Sequence, residues 1–324
     1  MHGLLGKVLQ YGLVLWVALS VNFLLPRAMP GSPLPYLVGE EVGTLAPERL
    51  DEIRARYGLD RSLGVQYLDY LGDVVRGDWG SSFQLGMPVA EAIRERLPWT
   101  LLLVGSSLLL STVFGVVAGA IAAWRRGGRF DAASLAGAIV VDALPSFWIG
   151  MLAIAVFAVR FGWFPTFGAT TPAGPSGGVA YLADVARHLA LPVASLTAAS
   201  LSGIYLVMRY SMLDVLGQDY VRSARAKGLS ERRVLMHHAV RNALLPVSTL
   251  LFLNLGFLVG GATVIETVFA YPGVGTLLYQ AVLSRDYPVL QGAFFVLTAS
   301  VVLANALADA VYPLLDPRVR RSAT

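Results

Sequence analysis

The sequence of 324 residues contains no cysteine and few charged residues. Without cysteine, the chain can form neither a disulfide nor a thiolate metal site. Asp, Glu, Lys and Arg make up 14% of the residues and hydrophobic residues 56%, a balance too apolar for a soluble domain of this length. The composition therefore indicates an integral membrane protein. We expect the net charge of +4 to reflect membrane topology and not nucleic-acid binding.

Several motifs of enzymes and nucleotide-binding proteins are also missing. There is no G-x-x-x-x-G-K-[ST] phosphate loop, no H-E-x-x-H zinc motif and no G-x-S-x-G nucleophile elbow. His237 and His238 are adjacent, so they point in different directions on a helix, whereas a metal-binding pair needs a spacing of four residues. We therefore expect this chain to have no catalytic residue, no metal site and no cofactor of its own.

Long apolar runs, by contrast, are plentiful. A helix needs about 20 apolar residues to cross the hydrocarbon layer of a membrane. Such runs occur at residues 8–28, 98–123, 132–159, 188–212, 243–269 and 288–312. This pattern predicts an all-α polytopic membrane protein with six transmembrane helices. A cleavable signal peptide is the alternative for the first run, because Lys7 precedes it and small residues lie at Ala18 and Ser20.

The basic residues predict the orientation, since short cytoplasmic loops collect Lys and Arg. With both termini inside, the two short outer loops hold only Arg160, Arg187 and Arg285. The inner segments hold Lys7, Arg125, Arg126, Arg129, Arg209, six further Lys and Arg residues within 219–247, and Arg318, Arg320 and Arg321. The predicted parts of the chain are a first transmembrane helix at 1–28, an extracytoplasmic segment at 29–97, a five-helix core at 98–312 and a cytoplasmic tail at 313–324.

The outer segment contains two predicted amphipathic helices, at residues 47–57 and 65–75. Their apolar faces must be buried, either against the outer ends of the spans or against a partner, and the pattern leaves both open. These faces consist of Leu50, Ile53 and Tyr57 in the first stretch and Leu68, Leu71 and Val75 in the second.

Another short apolar helix is predicted at residues 275–283, after a Pro-Gly turn. It is too short to span a membrane. We interpret it as an interfacial or re-entrant helix at the outer mouth, with Pro272, Gly273 and Gly275 as candidate outer-gate residues. A helix lying on the membrane surface is the alternative.

Polar residues inside the apolar runs are candidates for a transport pathway, because an ionisable group in hydrocarbon costs several kcal/mol unless it faces the bundle interior or water. Asp142 lies in the third run, before Pro145, and Asn254 and Glu266 lie in the fifth. We take these three polar residues as candidate pathway residues. A structural hydrogen bond to a neighbouring helix is the alternative role for Asp142.

A polar segment at residues 219–247, DYVRSARAKGLSERRVLMHHAVRNALLPV, separates the fourth and fifth runs. Its composition predicts helix, turn, helix. The first helix would run from about Asp214 to Lys227, and Gly228 would supply the left-handed residue that closes it. Ser230 would cap a second helix that ends near Leu244, before Pro246.

This segment resembles the cytoplasmic coupling motif of ABC importer permeases, the EAA loop, with its glycine at Gly228. The chain is similar to the peptide/nickel permease family over almost its whole length, and in particular to the first of the two permeases in dipeptide and oligopeptide importers. One departure is that Arg222, Ser223 and Ala224 stand where the motif has Glu-Ala-Ala. Further matching stretches are residues 57–83, 88–103, 144–151 (LPSFWIGM), 266–288 and 305–320 (NALADAVYPLLDPRVR).

The resemblance implies a type I ABC importer fold in a bacterial plasma membrane, with the lipid bilayer as a further partner. A second homologous permease would complete the pathway, two ATPases would bind ATP and magnesium, and an extracytoplasmic binding protein would deliver substrate. Peptides are the expected substrate, with nickel chelates, glutathione or another small molecule as alternatives. Within a coupling loop at 214–241, the residues expected to contact an ATPase are Tyr220, Arg222, Ala224, Arg225, Lys227 and Gly228.

Two other functional classes are weaker interpretations of the same sequence. An ion-coupled secondary transporter would use the intramembrane acids as relays, but it needs no such cytoplasmic segment and usually shows inverted repeats. A membrane enzyme would require a catalytic motif that this sequence lacks. The sequence therefore favours a transport subunit that receives its energy from another chain.

Overall fold

The computed structural model describes residues 2–28, 48, 51–52, 55 and 60–315. The predicted helix at 47–57 falls largely outside these residues. Within them the regular structure is helical, and one isolated β-bridge joins Ser81 and Pro88. The predicted all-α class is therefore correct.

Two π-helical segments, Ile154–Arg160 and Val234–Val240, accompany the α-helices of the described chain. A single helical turn, Glu231–Arg233, precedes the second of these segments. In chain order the helices are α1 (His2–Ala28), α2 (Leu63–Arg76), α3 (Val89–Trp124), α4 (Arg129–Asp142), α5 (Ser146–Ala153), α6 (Gly178–Leu216), α7 (Asp219–Ala226), α8 (Arg241–Val268), α9 (Val274–Ser284) and α10 (Tyr287–Leu315).

Five of the predicted apolar runs coincide with α1, α3, α6, α8 and α10, and the third run covers α4, α5 and the π-helical segment after α5. Of the described helices, α3, α6 and the stretch Tyr287–Ala310 of α10 are long and apolar enough to cross a membrane, and α4 with α5 forms a fourth candidate if the bent pair counts as one span. The apolar stretch Leu9–Leu24 of α1 is shorter. The count of six spans and the inside orientation of both termini therefore stay predictions.

The sequence predicted one continuous helix for the third apolar run, and the structure shows that this run is broken. It bends by 101° between Asp142 and Ser146. Pro145 explains the break, because a proline disfavours helical geometry in the residue before it and cannot donate a backbone hydrogen bond. Pro145 has extended dihedral angles and precedes α5. Asp142, a candidate pathway residue, is consequently the last residue of a helix.

The chain forms two compact units. The first comprises residues 1–100 and 272–302, and its core lies where α9 meets the first turns of α3 and α10. Val89, Ile93, Leu277 and Leu290 are buried there. One face of α9 therefore packs inside this unit, and the opposite face carries the exposed Leu283.

Helix α2 confirms the predicted amphipathic helix and ends before Gly77, but two of the three residues of its predicted apolar face are exposed. Leu68 is 68% exposed and Val75 is 87% exposed. The ring of Phe23 in α1 instead packs against Tyr67 and Tyr70, with ring centroids 5.2 and 5.6 Å apart. Burial raises the pKa of Tyr70 to about 12, so its hydroxyl stays protonated at neutral pH. Aromatic side chains therefore attach α2 to α1.

Asp286 ties two turns of the first unit together. It is 2% exposed, and its Oδ2 accepts hydrogen bonds from the Ser82 hydroxyl at 2.5 Å and from the Gln84 backbone N–H at 3.0 Å. Its backbone carbonyl accepts a hydrogen bond from the Leu290 N–H in the first turn of α10. A buried carboxylate with several donors is well satisfied, so Asp286 fixes the hairpin at residues 80–88 against the start of α10.

The second unit comprises residues 101–271 and 303–324, and α6 packs there against α3, α4, α5 and α8. Two glycines of α3 make the close approach to α6 possible. A Cβ added at Gly119 would lie 2.7 Å from the Tyr205 carbonyl oxygen, and one added at Gly115 would lie 2.9 Å from Ile204 Cγ2. Small residues at helix contacts allow such packing in membrane proteins.

A buried ion pair joins α4 to α6 in the same unit. Arg209 donates from Nε to Asp131 Oδ1 at 2.7 Å and from Nη2 to Oδ2 at 3.0 Å, and Gly127 N–H donates to the same carboxylate. Both side chains are largely buried, 7% exposed for Asp131 and 10% for Arg209. Ser134 and Tyr205 share a hydrogen bond of 2.8 Å beside the pair. The pair fixes the turn between α3 and α4 against the end of α6.

Candidate functional site

Helix α7 is the first helix of the polar segment, and it starts later than predicted. Asp214 belongs to α6, which ends at Leu216 with Gly217 as its cap. Gln218 has extended dihedral angles and precedes α7 at Asp219. The predicted start near Asp214 is therefore wrong. Gly217 is the signal that would have placed it, because glycine commonly terminates a helix.

One face of α7 packs against the rest of the chain through a small apolar cluster. Val221, Ala224 and Val234 are buried in it, and Leu216 and Leu229 pack around them. Ala224 is 4% exposed, so within this chain it anchors α7 to the cluster. Its assignment as an ATPase-contacting residue stays a prediction.

The opposite face of α7, away from this cluster, carries polar and basic side chains that are exposed to solvent. Tyr220 is 42% exposed, and Arg222 and Lys227 are also exposed. Arg222 lies 3.6 Å from Asp219, but both side chains are so exposed that this ion pair contributes little. The face therefore presents an aromatic ring and two cations that are free to meet a partner, a composition found at protein interfaces.

The turn after α7 has the geometry that the sequence predicted. Gly228 has a φ of +76°, in the left-handed region, and Leu229 N–H donates to the Ala224 carbonyl. Arg225 spans the turn, because its guanidinium donates to both carboxylate oxygens of Glu231 at 3.1 and 3.4 Å. Arg225 is thus held within the chain by two hydrogen bonds, whereas Arg222 has the exposed ion pair with Asp219.

The second helix of the segment starts after Ser230, as predicted, but it does not end where it was predicted to end. Ser230 precedes the turn Glu231–Arg233 with extended dihedral angles, but its side chain makes no capping hydrogen bond. The chain then passes through Val234–Val240 into α8 without a break. Pro246 lies inside α8 and does not end it. Proline is tolerated inside membrane helices because neighbouring groups can satisfy the carbonyl that it leaves free.

This continuity connects α7 to two long helices. Ala239, Ala243 and Val247 are fully buried against Met208 and Met212 of α6. Val234, which anchors α7, lies on the same π-helical segment as Ala239. Packed side chains therefore connect α7 with both α6 and α8.

The candidate pathway residues lie in different surroundings. Asp142 is exposed at the bend after α4, Asn254 is half-buried, and Glu266 is fully buried near the end of α8. Asn254 and Glu266 are separated by 12 positions of one helix, about 18 Å at 1.5 Å per residue. One small ligand can therefore contact at most two of the three candidates at a time.

The predicted outer-gate residues lie at the start of α9. Pro272 is half-buried, and Gly273 and Gly275 are buried. The N–H of Val274, the first residue of α9, donates to the Thr100 hydroxyl of α3 at 2.9 Å. This bond fixes the start of α9 within the first unit, and a gating role for the three residues stays a prediction.

No group of three or more His, Asp or Glu side chains within the described ranges is arranged to hold a metal ion. The sequence had not pointed to the Asp131–Arg209 pair or to Asp286. A charge pair whose members lie 78 residues apart gives no local signal. For Asp286 a signal exists, because an Asp shortly before the apolar helix α10 is a typical helix-capping pattern.

Comparisons with known proteins identify the family of this chain. A family described as "Binding-protein-dependent transport system inner membrane component" matches residues 115–321, and its N-terminal companion matches residues 1–104. A protein of Brucella suis biovar 1 named "putative peptide permease protein" is 42% identical over 314 residues, covering 96% of this chain and 97% of that protein.

Two further relatives come from other bacteria. The "oligopeptide transport system permease protein AppB" of Bacillus subtilis is 38% identical, with 92% of this chain and 93% of that protein covered. The "di/tripeptide transport system permease protein DppB" of Pseudomonas aeruginosa is also 38% identical, with 93% of each chain covered. A solved structure of the MetNI methionine ABC transporter, inward facing, matches with a TM-score of 0.56 at 17% identity, over 69% of this chain and 96% of that chain. This last likeness concerns the fold.

Proposed function

Because this chain belongs to the family of inner membrane components of binding-protein-dependent transport systems, we propose that it is the permease subunit of an ATP-driven importer of di- or oligopeptides. The observation that carries this proposal is α7, a helix that is anchored on one face and exposes Tyr220, Arg222 and Lys227 on the other. The names of the relatives support peptides as the substrate. Membership of the binding-protein-dependent transport family favours the role of an importer permease over that of an ion-coupled transporter.

The chain carries none of the nucleotide-binding motifs, so the energy for import comes from ATPase subunits that bind it from the cytoplasm. The exposed face of α7 docks on such a subunit. Arg222 and Lys227 offer donors to carboxylates of the ATPase, and the Tyr220 ring supplies apolar contact. Arg225 holds the following turn closed through Glu231.

Movement of the ATPases reaches the membrane through the anchored face of α7. The cluster of Val221, Ala224 and Val234 makes α7 move with the π-helical segment that leads into α8. The contacts of Ala239 and Ala243 with Met208 and Met212 carry that movement to α6. A second permease of the same family completes the pathway, and an extracytoplasmic binding protein delivers the peptide.

Replacing Gly228 with valine tests this coupling. The left-handed backbone costs a β-branched residue about 1–2 kcal/mol, although no atom lies within 4 Å of an added Cβ. We expect the turn after α7 to change and peptide uptake and peptide-stimulated ATPase activity of the assembled transporter to fall at least about tenfold, an effect of roughly 1.4 kcal/mol.

Gly162→Val is the matched control, because Gly162 also has a positive φ, +64°, and open space around its Cβ position, but it lies outside the polar segment. We expect Gly162→Val to destabilise its own turn about as much as Gly228→Val does, but to leave peptide uptake and peptide-stimulated ATPase activity unchanged. Unchanged uptake and ATPase stimulation in Gly228→Val would contradict the proposed role of the turn.

A further inference from the structure

The turn between α3 and α4 carries a concentration of positive charge that none of the functions above uses. Residues 124–130, WRRGGRF, form this arginine turn, and its three arginines are exposed. The side chains of Arg125, Arg126 and Arg129 form no hydrogen bond and no ion pair with any residue that the structure describes. Three guanidinium groups, each with five N–H donors, are therefore available to an anion.

Asp131, which follows the arginine turn, does not neutralise this charge. Its two oxygens accept hydrogen bonds from the buried Arg209 at 2.7 and 3.0 Å, and Oδ2 also accepts from Gly127 N–H at 3.0 Å. Arg126 lies near this carboxylate, but the pair of Asp131 and Arg209 is neutral as a whole. Four arginines against one aspartate leave this part of the chain with a charge of +3.

The backbone of the arginine turn is held in one conformation. Gly127 has a φ of +76°, and Gly128 N–H donates to the Arg125 carbonyl at 2.9 Å. The hydrogen bond from Gly127 to Asp131 joins the turn to the ion pair and so to α6. The three arginines are therefore presented on a fixed backbone, which reduces the conformational entropy lost when a ligand binds.

The surface of α3 that leads to the arginine turn indicates the kind of partner. Helix α3 is long and apolar enough to cross a membrane. On the side away from α6, its exposed apolar residues recur every three or four positions, at Leu110, Phe114, Val117 and Ile121. Arg125 continues this face four residues after Ile121. A long basic side chain at the end of such a face lays its apolar stem along lipid and keeps its charge at headgroup level.

We propose that the arginine turn binds the headgroup phosphate of an anionic phospholipid of the predicted cytoplasmic leaflet, with the acyl chains along the exposed face of α3. The planar guanidinium groups of Arg125, Arg126 and Arg129 match phosphate oxygens with paired hydrogen bonds. Basic clusters directly beside a membrane helix attract anionic lipids. The inference goes beyond the proposed function, because it depends on the membrane location of the chain and not on its substrate.

An acidic surface of an ATPase is the competing partner. The arginine turn lies beside α7, since the Arg225 guanidinium carbon is 5.8 Å from the centre of the Trp124 ring. The exposed apolar face of α3 favours lipid, because it continues from the turn into the membrane and an ATPase stays outside.

The test places one fluorescent label beside the arginine turn. Because the chain contains no cysteine, Phe130→Cys, at an exposed position, can carry a single nitrobenzoxadiazole group. The labelled chain is assembled with cysteine-free partner permease and ATPases in phosphatidylcholine nanodiscs. These nanodiscs contain equal minor fractions of either doxyl-labelled phosphatidylglycerol, which is anionic, or doxyl-labelled phosphatidylcholine, and the doxyl group quenches a nearby label.

We expect phosphatidylglycerol to quench this label at least about threefold more strongly than phosphatidylcholine does. Combining Arg125→Gln, Arg126→Gln and Arg129→Gln should make the two lipids quench equally. Inorganic phosphate, compared with chloride at equal ionic strength, should leave the preference unchanged, which distinguishes a lipid headgroup from free phosphate.

Two controls separate the site from general effects of charge and position. Arg232→Gln, Arg233→Gln and Arg241→Gln together remove the same charge from exposed positions on the same predicted side, and they should keep the lipid preference at position 130. A label at Leu109→Cys, exposed on α3 about 24 Å from Arg125, should be quenched equally by the two lipids. Equal melting temperatures across the set exclude a folding defect.

Equal quenching by the two lipids at position 130 in the unmodified turn would overturn the lipid site, as would a preference that survives the triple substitution. A label that neither lipid quenches, and that only the ATPases protect from aqueous iodide, would overturn it in favour of an ATPase contact. Each of these outcomes leaves the proposed importer function standing.

Discussion

Substituting valine for Gly119 is expected to prevent α3 and α6 from packing and to abolish the folded transporter. A Cβ at this position would lie 2.7 Å from the Tyr205 carbonyl oxygen and 3.1 Å from the Arg209 amide nitrogen. Both are backbone atoms, so no side-chain rotation can relieve the overlap. Overpacking of a well-packed interior costs typically about 1–3 kcal/mol and more where the backbone must move. We expect a loss of about 3 kcal/mol or more for this variant.

Gly105→Val in the same helix is the control, because nothing lies within 4 Å of its Cβ position. Size-exclusion chromatography and tryptophan-fluorescence melting of the purified chain measure the difference. The control should elute as a single symmetric peak with an unchanged melting temperature, and Gly119→Val should aggregate. Equal behaviour of the two variants would mean that α3 and α6 do not approach each other this closely.

Replacing Asp131 with asparagine should produce the second large effect. Asparagine keeps the shape of Asp131 but leaves the Arg209 guanidinium buried without a counter-charge. Removing one partner of a deeply buried ion pair costs about 3–5 kcal/mol. Because Arg126 and Arg129 beside the pair are exposed, the site lies near the protein surface, and we expect about 2–3 kcal/mol.

Asp219→Asn is the comparison, since Asp219 belongs to an ion pair that is exposed on both sides. Its melting temperature should not change measurably, because exposed pairs contribute about 0–1 kcal/mol. A melting temperature lowered equally by both substitutions would contradict the view that burial gives the Asp131–Arg209 pair its strength.

The sequence predicted the helices and the left-handed turn at Gly228, because apolar length and glycine position are local signals. The predicted start of α7 was wrong because Gly217 was not considered as the end of α6. Pro246 was predicted to end a helix, but it lies inside α8. A soluble helix would break there, but a membrane helix can continue. The buried side of α7 was also unpredictable, since Ala224 meets Val234 only after the turn has formed.

Contacts between distant parts of the sequence could not be predicted. The contact of α2 with α1 is made by Tyr67 and Tyr70 against Phe23, a pairing that the leucine pattern of α2 does not indicate. Likewise, the bond between Ser82 and Asp286 joins residues 204 positions apart. Both this bond and the Asp131–Arg209 pair result from such long-range packing, and one sequence gives no pattern for either.

The central claim is that the exposed face of α7 docks on an ATPase. Because the chain contains no cysteine, a single Arg222→Cys substitution can carry a benzophenone photocrosslinker at this face alone. Val75→Cys, on the exposed face of α2 on the predicted outer side, is the control. In the assembled transporter, we predict that illumination crosslinks position 222 to an ATPase subunit and position 75 to none. No ATPase adduct at position 222, or an equal yield at position 75, would contradict the claim.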